Sequence, residues 1–159
     1  MRPAEAKSRE AFHDGVPYAL TGYPHIETVV YGLNPSTGVI VFGPLVIQAP
    51  ANDDADGFTV LPNGSFLINE GDMSPEYVEL DRSSGAPKVA GLAIDLQTFA
   101  GLNLSRGTGV ATSADGLSVH FIVNITKPRI LAQTDLNGTL IGSKQISSIA
   151  IEDIDVFVP

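Results

Sequence analysis

The 159-residue chain has no cysteine. That excludes a disulfide framework, a thiol nucleophile and a zinc-thiolate site. Cations are scarce: 9 Lys and Arg stand against 18 Asp and Glu, a net charge of −9. They are scattered, apart from Lys7 and Arg9 near the N-terminus. A phosphate-binding surface needs clustered positive charge, so nucleic acid is excluded as a partner. The acidic excess is read as solubility. No apolar run approaches about eighteen residues, so no transmembrane helix is expected. The first residues lack the charged, apolar and cleavable regions of a signal peptide. The expectation is a cytoplasmic protein, or one of the extracellular space or cell envelope whose targeting segment has been removed. No G-x-S-x-G elbow, P-loop or dinucleotide fingerprint occurs, and no helical period is sustained after the first dozen residues.

What the chain does contain is punctuation. Hydrophobic residues make up 43%, and 16 Gly and 11 Pro break them into short runs. In Asp56–Gly85, Phe58, Val60 and then Phe66, Ile68 alternate at the period of a half-buried strand. Pro62-Asn63-Gly64 lies between them, and Asn-Gly tolerates the positive φ of a tight hairpin turn. A third run, Glu76–Leu80, ends at Arg82-Ser83-Ser84-Gly85.

The same pattern returns. Thr108–Asn124 overlays Asp56–Asn69, with the turn Asp115-Gly116 standing 52 residues after Asn63-Gly64. Pro128–Gly138 overlays Pro75–Gly85 at an offset of 53. A unit of about 40 to 50 residues with four short strands is the sequence signature of a propeller blade. The expected fold is therefore all-β, one domain by length, built of antiparallel four-stranded blade repeats forming a partial β-propeller of about three blades. A β-sandwich or barrel is the alternative.

Taken in order, Met1–Glu10 reads as a frayed helix or disordered tail and Gly15–Pro24 as an irregular lead-in. The domain proper is then 25–159. Ile26–Leu33 and Val39–Ile47 form a hairpin across Asn34–Gly38, the two outer strands of a partial blade over 26–48. Gly43-Pro44 marks a bulge or an edge strand there, because proline cannot donate to a ladder. Complete blades follow at 56–97, with Lys88–Leu96 as outer strand, and at 108–149. Ile151–Val158 is a closing inner strand, expected to pair beside the N-terminal outer strands. Three blades are fewer than the four to eight or so of a closed ring, so a second copy or a longer parent chain is expected to complete it.

DGFTVLPNGSFLIN and TGVATSADGLSVHFIVN resemble the blade motif shared by the NHL, YVTN and gluconolactonase-like propellers. The resemblance covers roughly Asp56–Gly138 and implies an architecture more than an activity. It implies a binding or scaffold module of unknown ligand or, alternatively, a metal-dependent hydrolase or lactonase with a divalent cation on the axis. In such a ring the first strand of each blade lines the channel. The mouth positions are Asp56, Thr108, and Glu152 or Asp153, whose oxygens could hold a hard cation such as Ca2+; Thr108 is a poor substitute for a carboxylate.

Asn52-Asp53-Asp54-Ala55-Asp56-Gly57 has the start of a calcium loop, with Asn52, Asp54 and Asp56 as ligands. Its twelfth position is Asn63 rather than Glu, and no helices flank it. Glu70 and Asp72 are two carboxylates close enough to share a proton or a cation. With the strand-ending Asn69 and Asn124, and with Thr108, they are the candidate binding residues. His13, His25 and His120 stand apart, and His120, between Val119 and Phe121, reads as a packed or surface histidine.

Overall fold

The computed structural model describes residues 7–23, 26–48, 55–70, 75–96, 107–123 and 129–147. These residues form twelve strands in three antiparallel sheets of four, with no helix among them. The first sheet contains β1 (Lys7–His13), β2 (Val16–Tyr23), β3 (Ile26–Leu33) and β4 (Ile40–Val46). The second contains β5 (Ala55–Val60), β6 (Phe66–Glu70), β7 (Tyr77–Leu80) and β8 (Ala93–Ile94). The third contains β9 (Gly107–Thr112), β10 (Ser118–Val123), β11 (Arg129–Asp135) and β12 (Leu140–Ser147). Each sheet is a meander in chain order, and none closes into a barrel. The first strands lie side by side, β1 against β5 and β5 against β9. The chain is thus three blade-like repeats with their first strands innermost.

The expected tail and lead-in are corrected. Residues 7–23 form a seven-pair hairpin, from Lys7 opposite Gly22 to His13 opposite Val16. Its turn is Asp14-Gly15, a third Asp/Asn-Gly turn that precedes Asn63-Gly64 by 49 residues. Pro17 is tolerated because it precedes the β2–β3 pairing, which begins at Tyr18 opposite Gly32. The first sheet therefore has its own inner strands, and β2 already fills the flank of β3 expected for Ile151–Val158, which lies outside the described residues. Gly43-Pro44 does fall on an edge strand, where the β3–β4 register slips.

The expected outer strand Lys88–Leu96 shrinks to two residues. Lys88 N–H donates to the Glu79 carbonyl, and Glu79 N–H donates to the Leu92 carbonyl, so the intervening residues turn outward. Val89, expected in that strand, is fully exposed.

The second sheet is covered on both faces. Phe58, Val60, Phe66, Ile68 and Leu80 pack on Tyr18, Leu20 and Val30 of the first sheet. Leu67, Tyr77 and Ile94 pack on Val110, Val119 and Phe121 of the third. That explains why β6 reads as an unbroken run, Phe66-Leu67-Ile68-Asn69, buried at every position. Arg82 pins the first interface: its guanidinium lies 4.9 to 6.0 Å from the ring centroids of Phe42, Tyr18 and Phe66 and donates to the Tyr18 hydroxyl. At the second, the Thr59 and Thr112 hydroxyls meet at 3.2 Å, and Thr112 Oγ1 donates to the Val60 carbonyl.

Candidate functional site

A four-stranded meander puts its first and third connections at one end and its second, with the link to the next sheet, at the other. The first end is made of tight turns with their own acceptors. In the third turns, Asn34 Oδ1 accepts from Ser36 and Thr37 N–H, Asp81 Oδ1 from Ser83 and Ser84, and Asp135 Oδ1 from Asn137 and Thr139. The Ser83 hydroxyl and the turn amides hold the Asp81 carboxyl down at about 2. The Thr139 amide lowers Asp135, and the Ser113 hydroxyl, with the Leu117 amide, lowers Asp115. These carboxylates are consumed by the turns.

The opposite end gathers the residues that the sequence points to. Asp56 is the second residue of β5, Thr108 the second of β9, and Asn69 and Glu70 are the last two of β6. Ala55 faces Glu70 and Gly57 faces Asn69, so Asp56 is the extra residue of a bulge. In the third sheet, Gly107 faces Val123 and Val110 faces Phe121, with the register slipping between them. Thr108 lies in that slip, so both candidate axial positions fall where an innermost strand departs from regular pairing. Bulges commonly re-aim a side chain beside a site. Asn52, Asp54, Asp72, Asn124, Glu152 and Asp153 lie outside the described residues.

Asn69 is completely buried. Its amide donates to the Glu76 carbonyl at 3.2 Å, while its Oδ1 has no partner among the described residues. Next to it, Glu76 is buried and accepts the Leu96 N–H at 2.7 Å. Burial pushes the Glu76 carboxyl up, against the pull of the Leu96 amide. No group of three or more His, Asp or Glu converges to hold a metal among the described residues.

Glu76 and Glu79 carry structural roles that the sequence pattern of the repeats does not reveal. Their signal is two carboxylates inside the β-run Glu76-Tyr77-Val78-Glu79-Leu80, where exposed charge has no place. Glu79 Oε2 accepts the Leu92 N–H at 2.7 Å, and Oε1 accepts from Lys88 Nζ at 2.6 Å and Asn63 Nδ2 at 3.0 Å. Side-chain acceptors thus satisfy the backbone donors that the two-residue β8 leaves without a ladder.

Burial alone would raise the Glu79 pKa. The Lys88 ammonium and the Leu92, Asn63 and Ser65 donors outweigh it and bring it down from 4.5 to about 2. A carboxyl depressed in the folded state stabilises above its unfolded pKa, and that stability is lost as pH falls through the folded one. Stability should therefore fall between about pH 5 and pH 2 by on the order of 3 kcal/mol from this group. Urea titrations against pH should show that slope, and Glu79→Gln should flatten it while lowering stability at pH 7.

No family model matches the chain, and no curated protein is similar to it. Among solved structures it is similar to hydrazine synthase of Kuenenia stuttgartiensis, with a TM-score of 0.57 and 14% identity. The match covers 87% of this chain and 36% of that one, so the chain spans little more than a third of its length. The likeness is one of fold.

Proposed function

We propose that the chain is a propeller-type binding or scaffold module, of the class represented by NHL, YVTN and gluconolactonase-like propellers, that meets its ligand at the end where β5 and β9 begin. The observation that carries this is the shared position of Asp56, Asn69, Glu70 and Thr108 at one end of adjacent sheets, two of them on irregular inner-strand positions. By contrast, the buried carboxylate Glu79 is fully committed to holding the 88–92 segment. A module of three sheets needs further sheets to close its ring, from a second copy or from a longer parent chain.

Melting the protein with Ca2+, Zn2+ or Mn2+ separates this reading from a metal-dependent hydrolase or lactonase. A bound ion at a hundred times its Kd adds about 2.7 kcal/mol to stability. A non-catalytic module melts at the same temperature with every ion. A rise in Tm that Asp56→Asn abolishes would transfer the proposal to the enzyme.

A further inference from the structure

In the third sheet, Val110, Val119, Phe121 and Ala132 point at the second. Ala111 with its partner His120, and Ser118 and Ile122 on either side of His120, therefore point away. An end sheet should leave that face open to water, as the first sheet does, where Phe12 of β1 points away from Tyr18 and Leu20 and is 67% exposed. The third sheet does not: Ala111 is 5% exposed, Ser118 4% and Ile122 1%. From Ser118 to Ile122 is about 13 Å of strand, more than a turn that closes within about 7 Å can cover. The cover stops short of the outer strands, where Leu131 is half-buried, Lys144 is exposed and a groove of about 260 Å³ opens.

The described strands do not supply this cover. Outside its own sheet β9 meets β5 and β6, and both lie on the Val110 side, where Leu67 packs and Thr59 meets Thr112. Segment 97–106 leaves from Leu96, which is buried on that same side. Segment 124–128 joins β10 to β11 at one end of the sheet, and the other segments outside the described residues adjoin the first two sheets, except 148–159. This last segment follows β12, which ends where β9 begins. Crossing three inter-strand spacings and one inter-sheet spacing is a diagonal of about 18 Å, and the six residues from Ser147 to Asp153 span up to about 20 Å. The chain makes the equivalent crossing between Val46 and Ala55. Asp153-Ile154-Asp155-Val156-Phe157-Val158 then has the period of a half-buried strand, and the six residues that β9 has.

We propose that Asp153–Val158 lies along β9 with Ile154, Val156 and Val158 turned toward Ala111 and Ile122, as the first strand of a fourth sheet. It starts where β12 ends, so it carries Glu152 and Asp153 to the end where Asp56 and Thr108 stand. The binding end thereby gains a contribution from a fourth first strand. The proposal rests on the propeller-type reading above.

Paired cysteines in the full, otherwise cysteine-free chain test the placement. Thr59 and Thr112 meet at 3.2 Å, so adjacent first strands lie within reach of a disulfide. Ala111→Cys is combined in turn with Ile154→Cys, Val156→Cys and Val158→Cys. Mild oxidation should give an intrachain bridge with at least one of the three, and none with Asp155→Cys, on the opposite face, or with Leu104→Cys, in the segment before β9. A second measurement does not depend on bridge geometry. The thiol of Ala111→Cys alone should be protected from a maleimide that labels Val89→Cys, at a fully exposed position. Val156→Glu should remove that protection while leaving Ala132→Cys, on the inward face, protected. No bridge with any of the three, a bridge to Leu104→Cys, or protection that survives Val156→Glu would overturn the placement. Such a result would leave Asp56, Asn69, Glu70 and Thr108 at the binding end, whose reading the metal titration decides separately.

Discussion

Tyr77→Ala should lower the unfolding free energy by about 4 kcal/mol, with the loss concentrated in the third sheet. Tyr77 is fully buried, its ring lies 5.0 Å from that of Phe121, and its hydroxyl donates to the Ile122 carbonyl at 3.2 Å. Ile122 sits where the β9–β10 register slips, so the hydroxyl supplies a donor where the ladder is irregular. A Cβ added at Gly107 would collide with the same hydroxyl, which shows how closely β9 is laid against this ring. Removing the ring leaves a cavity in the core between the second and third sheets, where Tyr77 is the largest fully buried side chain. Tyr77→Phe should cost only about 1 kcal/mol, since it loses the hydrogen bond and keeps the packing. Hydrogen exchange followed by mass spectrometry checks the location: the alanine variant should expose β9–β11 while β1–β3 stay protected. Uniform loss of protection would mean that the sheets do not pack as separate layers.

The contact between the first and second sheets has an equally sharp test. Gly85→Ala should destabilise by about 3 kcal/mol, and Gly38→Ala, at the matching turn one sheet earlier, by only about 1. Both glycines sit at positive φ, 71° and 69°. The difference lies in the space around them. A Cβ at Gly85 would run into the Val46 carbonyl, whereas a Cβ at Gly38 meets nothing within 4 Å. Gln48 N–H also donates to the Gly85 carbonyl at 2.9 Å, fixing the turn against the first sheet. The collision is with backbone, so only parting the sheets relieves it. Urea denaturation of the two variants checks the ranking, and equal losses would contradict the docking of 81–85 on 46–48.

Much of this architecture was legible in the chain because turns advertise themselves. Asn63-Gly64 and Asp115-Gly116 marked two hairpins, and the Gly-closed turns at 38, 85 and 138 marked the third-to-fourth strand connections. The hairpin over 7–23 escaped because Lys7-Ser8-Arg9-Glu10 favours helix by composition and Pro17 reads as a breaker; tertiary pairing overrides both. Asp14-Gly15 carried the missing signal. The short β8 was hidden for the opposite reason: Val89, Leu92, Ile94 and Leu96 look like a strand, but Glu79 binds the backbone on either side of Gly91 and pulls the segment out of register. The loop-end positions of Asp56, Asn69, Glu70 and Thr108 were legible from the period alone. The roles of Glu76 and Glu79 were not, since they depend on donors 13 to 20 residues away.

Like sheets stand side by side with their first strands adjacent, and the chain's lack of cysteine allows a clean test of this arrangement. Thr59 and Thr112, 53 residues apart, bring their hydroxyls to 3.2 Å across β5 and β9. With Thr59→Cys and Thr112→Cys combined, mild oxidation should give one intrachain bridge in the non-reduced peptide map, and the closed loop should add about 4 kcal/mol to stability. Two thiols that stay open to alkylation under the same conditions, or bridges found only between chains, would contradict the arrangement.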